Sequence, residues 1–276
     1  MKIYSYLAKL YIAAPLLAKL VDATLCGCAK SITIKITGIY ENGDTDTHYE
    51  YCEHLGDGRG FTAGIAGFCT GTGDAWELIK AYHELTVYPM DATLEKYAET
   101  ESDSKVGIED YCTVFEKLGK TDKLFQKAQD TIRDEMYLKP AQDYAKKLGI
   151  KLSITQGQLF DTSIEHGPGT DPDGMATIGS ETSAKFTKAT PGDSGSTLMI
   201  NGNEVDEIAW LSEFLNVRSD HLTNPRDEAN KGGNYWAQTV YRIESYRYTI
   251  EQKQYKWGKT PVKFLDNDGN PITVSC

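Results

Sequence analysis

Two carboxylates, Glu41 and Asp57, stand in frames that favour turns: Asn42-Gly43 follows the first, and glycines at 56, 58 and 60 surround the second. Glycine reaches positive φ without steric cost and leaves room for a bulky ligand, so a carboxylate on such a loop can face a substrate. Two carboxyl groups in unlike surroundings suit acid–base hydrolysis of a glycosidic bond. One protonates the leaving oxygen, and in an inverting enzyme the other activates water on the opposite face of the sugar. Glu41 follows the apolar run Thr37-Gly38-Ile39-Tyr40, a setting expected to desolvate it and raise its pKa, as an acid requires. Asp57 stands near Arg59, which favours the ionised form that a base needs.

Positioning these groups falls to a helix-rich chain. Apolar residues recur at spacings of three and four over 75–85, 91–100, 108–119 and 121–138, which predicts four helices, with more helix at 140–148 and 151–165. In the fourth, Leu124, Phe125, Ala128, Ile132 and Met136 form one face, with Thr121 the expected cap and Pro140 the stop. The segment that carries Glu41 is ambiguous. Ile32, Ile34 and Ile36 alternate as in a strand, Ile32, Ile36, Ile39 and Tyr40 also line one helical face, and the β-branched residues favour the strand. Near the end, 264–274 has the Asp-Gly turn and flanking apolar residues of a β-hairpin. No repeat or linker interrupts the chain, which reads as one α+β domain over 30–276 behind a separate segment, 1–29.

Forty acidic against 29 basic side chains give a formal charge of -11, which argues against nucleic acid as a partner and in favour of a cationic one. No apolar run is long enough to span a membrane. Residues 1–29 combine a basic start at Lys2 with an apolar piece at 10–18, yet Lys9, Lys19 and Asp22 interrupt it, so the segment reads as a signal or an N-terminal extension. Cysteines 26, 28, 52, 69, 112 and 276 make an even count that suits disulfides in an exported, extracellular protein, with the pairing open. Cys69, in an apolar glycine-rich context, reads as a small core residue. The cluster Asp44, Asp46, His48, Glu50, Glu53 and His54 fits no metal-ligand spacing, and a calcium loop begun at Asp266 would run past Cys276. Neither metal nor cofactor is expected.

The string GDGRGFTAGIAGFCTGTGD at 56–74, preceded by Glu41-Asn42, closely resembles the glycoside hydrolase family 46 chitosanases, and LFQKAQDTIRDEMYLKPA at 124–141 and LFDTSIEHGPGTDP at 159–172 extend the likeness. The resemblance implies a mostly helical, lysozyme-like fold of two lobes separated by a substrate cleft. It implies a monomeric, endo-acting, inverting hydrolase of the β-1,4 bonds of chitosan, with glucosamine oligosaccharides as ligands. It makes Glu41 the general acid and Asp57 the general base, with Thr62 orienting the water. Arg59 would hold the loop, Asp74 and Glu53 would meet amino sugars, and Asp161 with Arg218 and Arg242 would form a buried network that tunes the acid. It further implies a helix ending near Glu41, with Asn42-Gly43 as its terminus.

Each residue also has a plainer role. Thr62 could cap a helix, Asp74 with Glu77 spells a capping box, and Glu53 could lie on a solvated helix face. The rival functions are a muralytic hydrolase on the same scaffold and a chitosan-binding protein without catalysis. Pro191-Gly192-Asp193-Ser194-Gly195 resembles the nucleophile motif of chymotrypsin-like peptidases, but the helix-rich middle contradicts that β fold.

Overall fold

A computed structural model describes residues 24–83, 91–231 and 236–276. The expectation for 1–23, and the last two residues of the helix predicted at 75–85, lie outside the described residues. The segment bearing Glu41 is a helix, α1 (Gly27–Asn42), so the folded part begins before residue 30. Burial decides the ambiguity: Ile32, Ile36, Ile39 and Tyr40 all turn inward along one side, and that outweighs the β-branched preference. Gly43, at φ 84°, closes the helix by donating its N–H to the Ile39 carbonyl.

The chain then enters a first lobe. Three two-residue antiparallel strands, β1 (Cys52–Glu53), β2 (Thr62–Ala63) and β3 (Phe68–Cys69), put Thr62 opposite both Glu53 and Cys69. Helices α2 (Asp74–His83), α3 (Asp91–Glu99), α4 (Tyr111–Thr121) and α5 (Lys123–Arg133) pack on this sheet around Phe68, Leu78, Tyr111, Phe115 and Phe125. Cys52–Cys112 staples β1 to α4.

Helix α5 does not end at its boundary. A π-turn (Asp134–Leu138) carries it without a break into α6 (Lys139–Leu148), so Pro140 lies in the first turn of α6 and is no stop. The wide turn relieves the clash that a proline ring makes with the carbonyl four residues back. The turn also holds one residue more than an α-turn, which rotates the following side chains by ~100°. Phe125, Ala128 and Ile132 accordingly face the first core, and Leu138, Ala141 and Ala145 face the second. Two details of the expected fourth helix differ. Asp122, not Thr121, is the cap, its side chain accepting from Leu124 N (2.8 Å) and Phe125 N (3.4 Å), and Leu124 is exposed.

The second lobe takes α1 together with α7 (Ser153–His166), α8 (Met175–Ala184), the hairpin β4 (Thr197–Ile200) and β5 (Asn203–Asp206), α9 (Glu207–Thr223), α10 (Tyr241–Glu251) and the hairpin β6 (Val262–Leu265) and β7 (Pro271–Val274). Helix α7 is buried along nearly its whole length. Gly157 permits this, since a Cβ there would lie 2.6 Å from the Trp257 ring. A second disulfide, Cys28–Cys276, ties α1 to the end of β7. The molecule is thus α+β and mostly helical, with one staple in each lobe. The peptidase-like Ser194 is buried and donates to Asp206 Oδ2 at 2.6 Å, while the other oxygen of Asp206 caps α9. Its role is to close a loop.

Candidate active site

The C-terminal end of α1 delivers Glu41 to the join between the lobes. Its carboxylate accepts from Arg242 Nη2 at 2.6 Å. Arg242, on α10, also reaches Asp161 through Nη1 at 3.3 Å, and Arg218, on α9, donates Nη1 to the other oxygen of Asp161 at 2.7 Å. Asp161 and Arg218 are fully buried. The apolar setting expected around Glu41 is not what surrounds its carboxyl group: the side chain is 35% exposed and paired. Ile39 and Tyr40 point into the core, while Glu41, one position on, points out of it.

Sequence reading overlooked Glu165, the fifth member of this cluster. It lies one turn beyond Asp161 on α7, ionically paired with Arg218 Nη2 and 3.9 Å from Arg242 Nε. Burial pushes its carboxyl group up, but Arg242 and Arg218 outweigh burial and hold it down at about 2. The i, i+4 spacing of two acids on a buried helix was the available signal.

Asp57 lies in the β1–β2 loop. Gly56, Gly58 and Gly60 all take positive φ, at 73°, 84° and 79°, and a Cβ on Gly60 would sit 2.2 Å from Thr70 Oγ1. That geometry folds Arg59 back on the aspartate. The Arg59 amide meets Oδ1 at 3.1 Å, and the guanidinium meets Oδ2 through Nε at 2.9 Å and Nη2 at 2.6 Å. Partial burial raises the Asp57 carboxyl group, yet the Arg59 hydrogen bonds win and leave it below the usual aspartate range.

Thr62 is buried in β2 with Oγ1 3.4 Å from Cys69 Sγ, so it is neither a helix cap nor exposed. Asp74 opens α2. Its Oδ1 accepts from Cys69 N (2.8 Å), Thr72 Oγ1 (2.6 Å) and Ala75 N (3.1 Å), and burial raises its pKa. Glu77 pairs with Lys80, and with that the capping-box reading of Asp74 gives way to a side chain clamped by its own loop. Glu53 is exposed on β1, not on a helix, and accepts from the Tyr51 hydroxyl at 3.2 Å.

Two further residues sit among these groups: Cys69, buried as the sequence suggested, and Tyr137, which sequence reading did not single out. Cys69 is a buried free thiol whose acidity is suppressed by burial, while Thr62 and Arg59 oppose that and Asp74 and Asp57 add to it. Tyr137 occupies the π-turn, and its phenol is pushed up by burial, then by Asp74, Cys69 and Glu41, with Arg59 opposing. One side chain therefore senses charges from both lobes. Glu41 belongs to α1 of the second lobe, and Asp74, Cys69 and Arg59 belong to the first.

The profile of Glycosyl hydrolase family 46 matches residues 35–256. The chain is 34% identical over 227 residues to a chitosanase of Bacillus subtilis (strain 168), covering 80% of this chain and 76% of that one. It is similar to the Gynuella sunshinyii chitosanase solved in complex with chitotetraose, with a TM-score of 0.78 at 29% identity over 91% of this chain and 99% of the other. A mutant chitosanase of Bacillus subtilis MY002 complexed with 6 GlcN superposes with a TM-score of 0.76 at 30% identity, over 89% and 98% of the two chains. A sheet loop bearing one carboxylate, a helix end bearing another and a shared fold over most of the chain thus converge on one assignment: the protein belongs to glycosyl hydrolase family 46.

Proposed function

We propose that the chain is an endo-acting chitosanase that hydrolyses β-1,4 bonds between glucosamine units with inversion. Glu41 is the general acid and Asp57 the general base. The observation that carries this reading is the unlike tethering of the two carboxylates, Glu41 to Arg242 of a buried network and Asp57 to Arg59 of its own loop. Arg59 keeps Asp57 ionised, ready to take a proton from water. Glu41, part exposed and aimed by Arg242, is placed to hand a proton to the leaving oxygen. A water fits between such a pair when the carboxyl groups stand about 6.5 to 9.5 Å apart, the separation this mechanism requires. Thr62, in the strand beside the loop, orients that water.

Asp74 and Glu53 bind the cationic sugars, since an ammonium gains a charged partner that an acetamide does not. With Oδ1 of Asp74 occupied by its own loop, Oδ2 is left for the ligand. The overall charge of -11 suits a polycationic substrate. We read the chain as a monomer, and its two disulfides fit an exported protein. No helix among the described residues is long and apolar enough to cross a membrane.

The decisive experiment follows the reducing-end anomer by proton NMR during chitosan digestion, beside Glu41→Gln. Initial release of the α-anomer from a β-linked polymer is expected, and first release of the β-anomer would sink the inverting assignment. Glu41→Gln should fold normally and lose at least about 10²-fold in rate, because its transferable proton is gone. Turnover like that of the unaltered protein would refute the acid role.

A further inference from the structure

The network behind Glu41 holds two guanidinium groups that nearly touch the same carboxylates. Arg218 is fully buried and Arg242 is 4% exposed. Asp161 offsets one positive charge, with an oxygen on each arginine. If Glu41 supplied the second negative charge, the surplus positive field would hold it ionised, and an ionised carboxylate has no proton to give. The structure supplies another anion. Glu165 pairs with Arg218 through Oε2, and its Oε1 faces Arg242 Nε at 3.9 Å without a hydrogen-bond partner among the described residues.

Resting on the reading of Glu41 as the general acid, we infer that Glu165 is a positioning residue that completes the neutralisation of Arg218 and Arg242, and so leaves Glu41 free to carry a proton. Two guanidinium groups then balance two buried carboxylates, and Glu41 is the fifth, part-exposed member. Its contact with Arg242 at 2.6 Å aims the carboxyl group without a full unit of unbalanced charge behind it. The groups facing Glu165 fit this role from every side. Asp161 and His166 share α7, Arg218 comes from α9, Arg242 from α10, and Thr239 from the turn before α10. His166 adds no charge, because burial drives its imidazole down to about 3. Facing Glu41 are Arg242 and three phenols, Tyr51, Tyr137 and Tyr241, neutral at working pH.

The sign of the effect follows. Replacing Glu165 by glutamine keeps the shape and removes one negative charge, so the arginines press harder on Glu41 and lower its pKa. The acid then loses its proton at lower pH. In the pH profile of kcat/KM on chitosan, the alkaline limb of Glu165→Gln should move down by roughly one pH unit, with the acidic limb unmoved. The substrate amines titrate identically in both measurements and cancel. A role in folding alone would lower the amount of active protein at every pH without displacing the limb. A folded Glu165→Gln with an unshifted alkaline limb overturns the inference, while the loss of activity in Glu41→Gln still upholds the acid role. Full turnover in Glu41→Gln sinks the acid role itself. If Glu165→Gln does not fold, Glu165→Gln combined with Arg218→Gln removes one charge of each sign. Its limb should fall where the unaltered protein's does, and a downward displacement there overturns the inference.

Discussion

Glu41 is tied to a charge network drawn from three further helices, whereas Asp57 is tied to Arg59, two residues along the same turn. The first arrangement is buried and long-range, and the second is local and half in water. Buried charges are costly unless each is matched, so stranding a charge in the network behind Glu41 costs stability. An exposed pair contributes little to stability, so the Asp57–Arg59 pair can be altered with little cost to the fold.

Breaking the comparison begins with Arg218→Met. It strands Asp161 and Glu165 without their shared partner, and chemical denaturation should show a loss of ~3–5 kcal/mol. A loss no larger than that of a surface substitution would erase the distinction between the two sides. Next comes pH. Burial takes the His166 imidazole from its usual 6.5 down to about 3, so the unfolded chain gains a proton that the fold refuses as the pH drops between those values. Its stabilising share is complete above 6.5 and declines toward 3, at ~1.4 kcal/mol per unit while the two states differ fully. Unfolding curves of His166→Phe across that window should slope less steeply with pH than those of the unaltered protein.

On the opposite side, Asp57→Asn should lose about 10²-fold or more in rate on chitosan and melt within error of the unaltered protein. A clear fall in melting temperature would show that the loop is structural. The smallest effect sharpens the contrast. Arg59→Gln removes a pair in which the arginine side chain is 52% exposed, worth ~0–1 kcal/mol, but it releases the Asp57 carboxyl group upward. The base then stays protonated to higher pH, and the acidic limb of the rate profile should move up while the alkaline limb stays in place.

The two sides also differed in how plainly the sequence spoke. The Asp57 loop is contiguous, and its glycines announced a backbone that the structure adopts at 56, 58 and 60. The four-helix middle was legible from periodicity, because one apolar face per helix is what packing demands. The network behind Glu41 joins residues 41, 161, 165, 218 and 242, and nothing in a linear chain records that the faces of four helices converge. Asp161, Arg218 and Arg242 were reached through the family likeness and Glu165 was missed. Helix α1 shows the same limit. Its β-branched residues pointed to a strand, and only the burial of one face by distant elements made it a helix. Pro140 misled for a related reason, since a wide turn just before it removes the clash that ordinarily ends a helix.

That wide turn has a geometric consequence. Between Asp122 and Gly149 the lobes share one unbroken rod, and the surplus residue within 134–138 sets the phase at which the far half presents its side chains. The angle between the halves that bear Glu41 and Asp57 is therefore stored as a count, much as thread pitch sets where a bolt head stops. Lengthening or shortening the rod by one residue would swing Glu41 and Asp57 out of register while every local contact remained chemically sound.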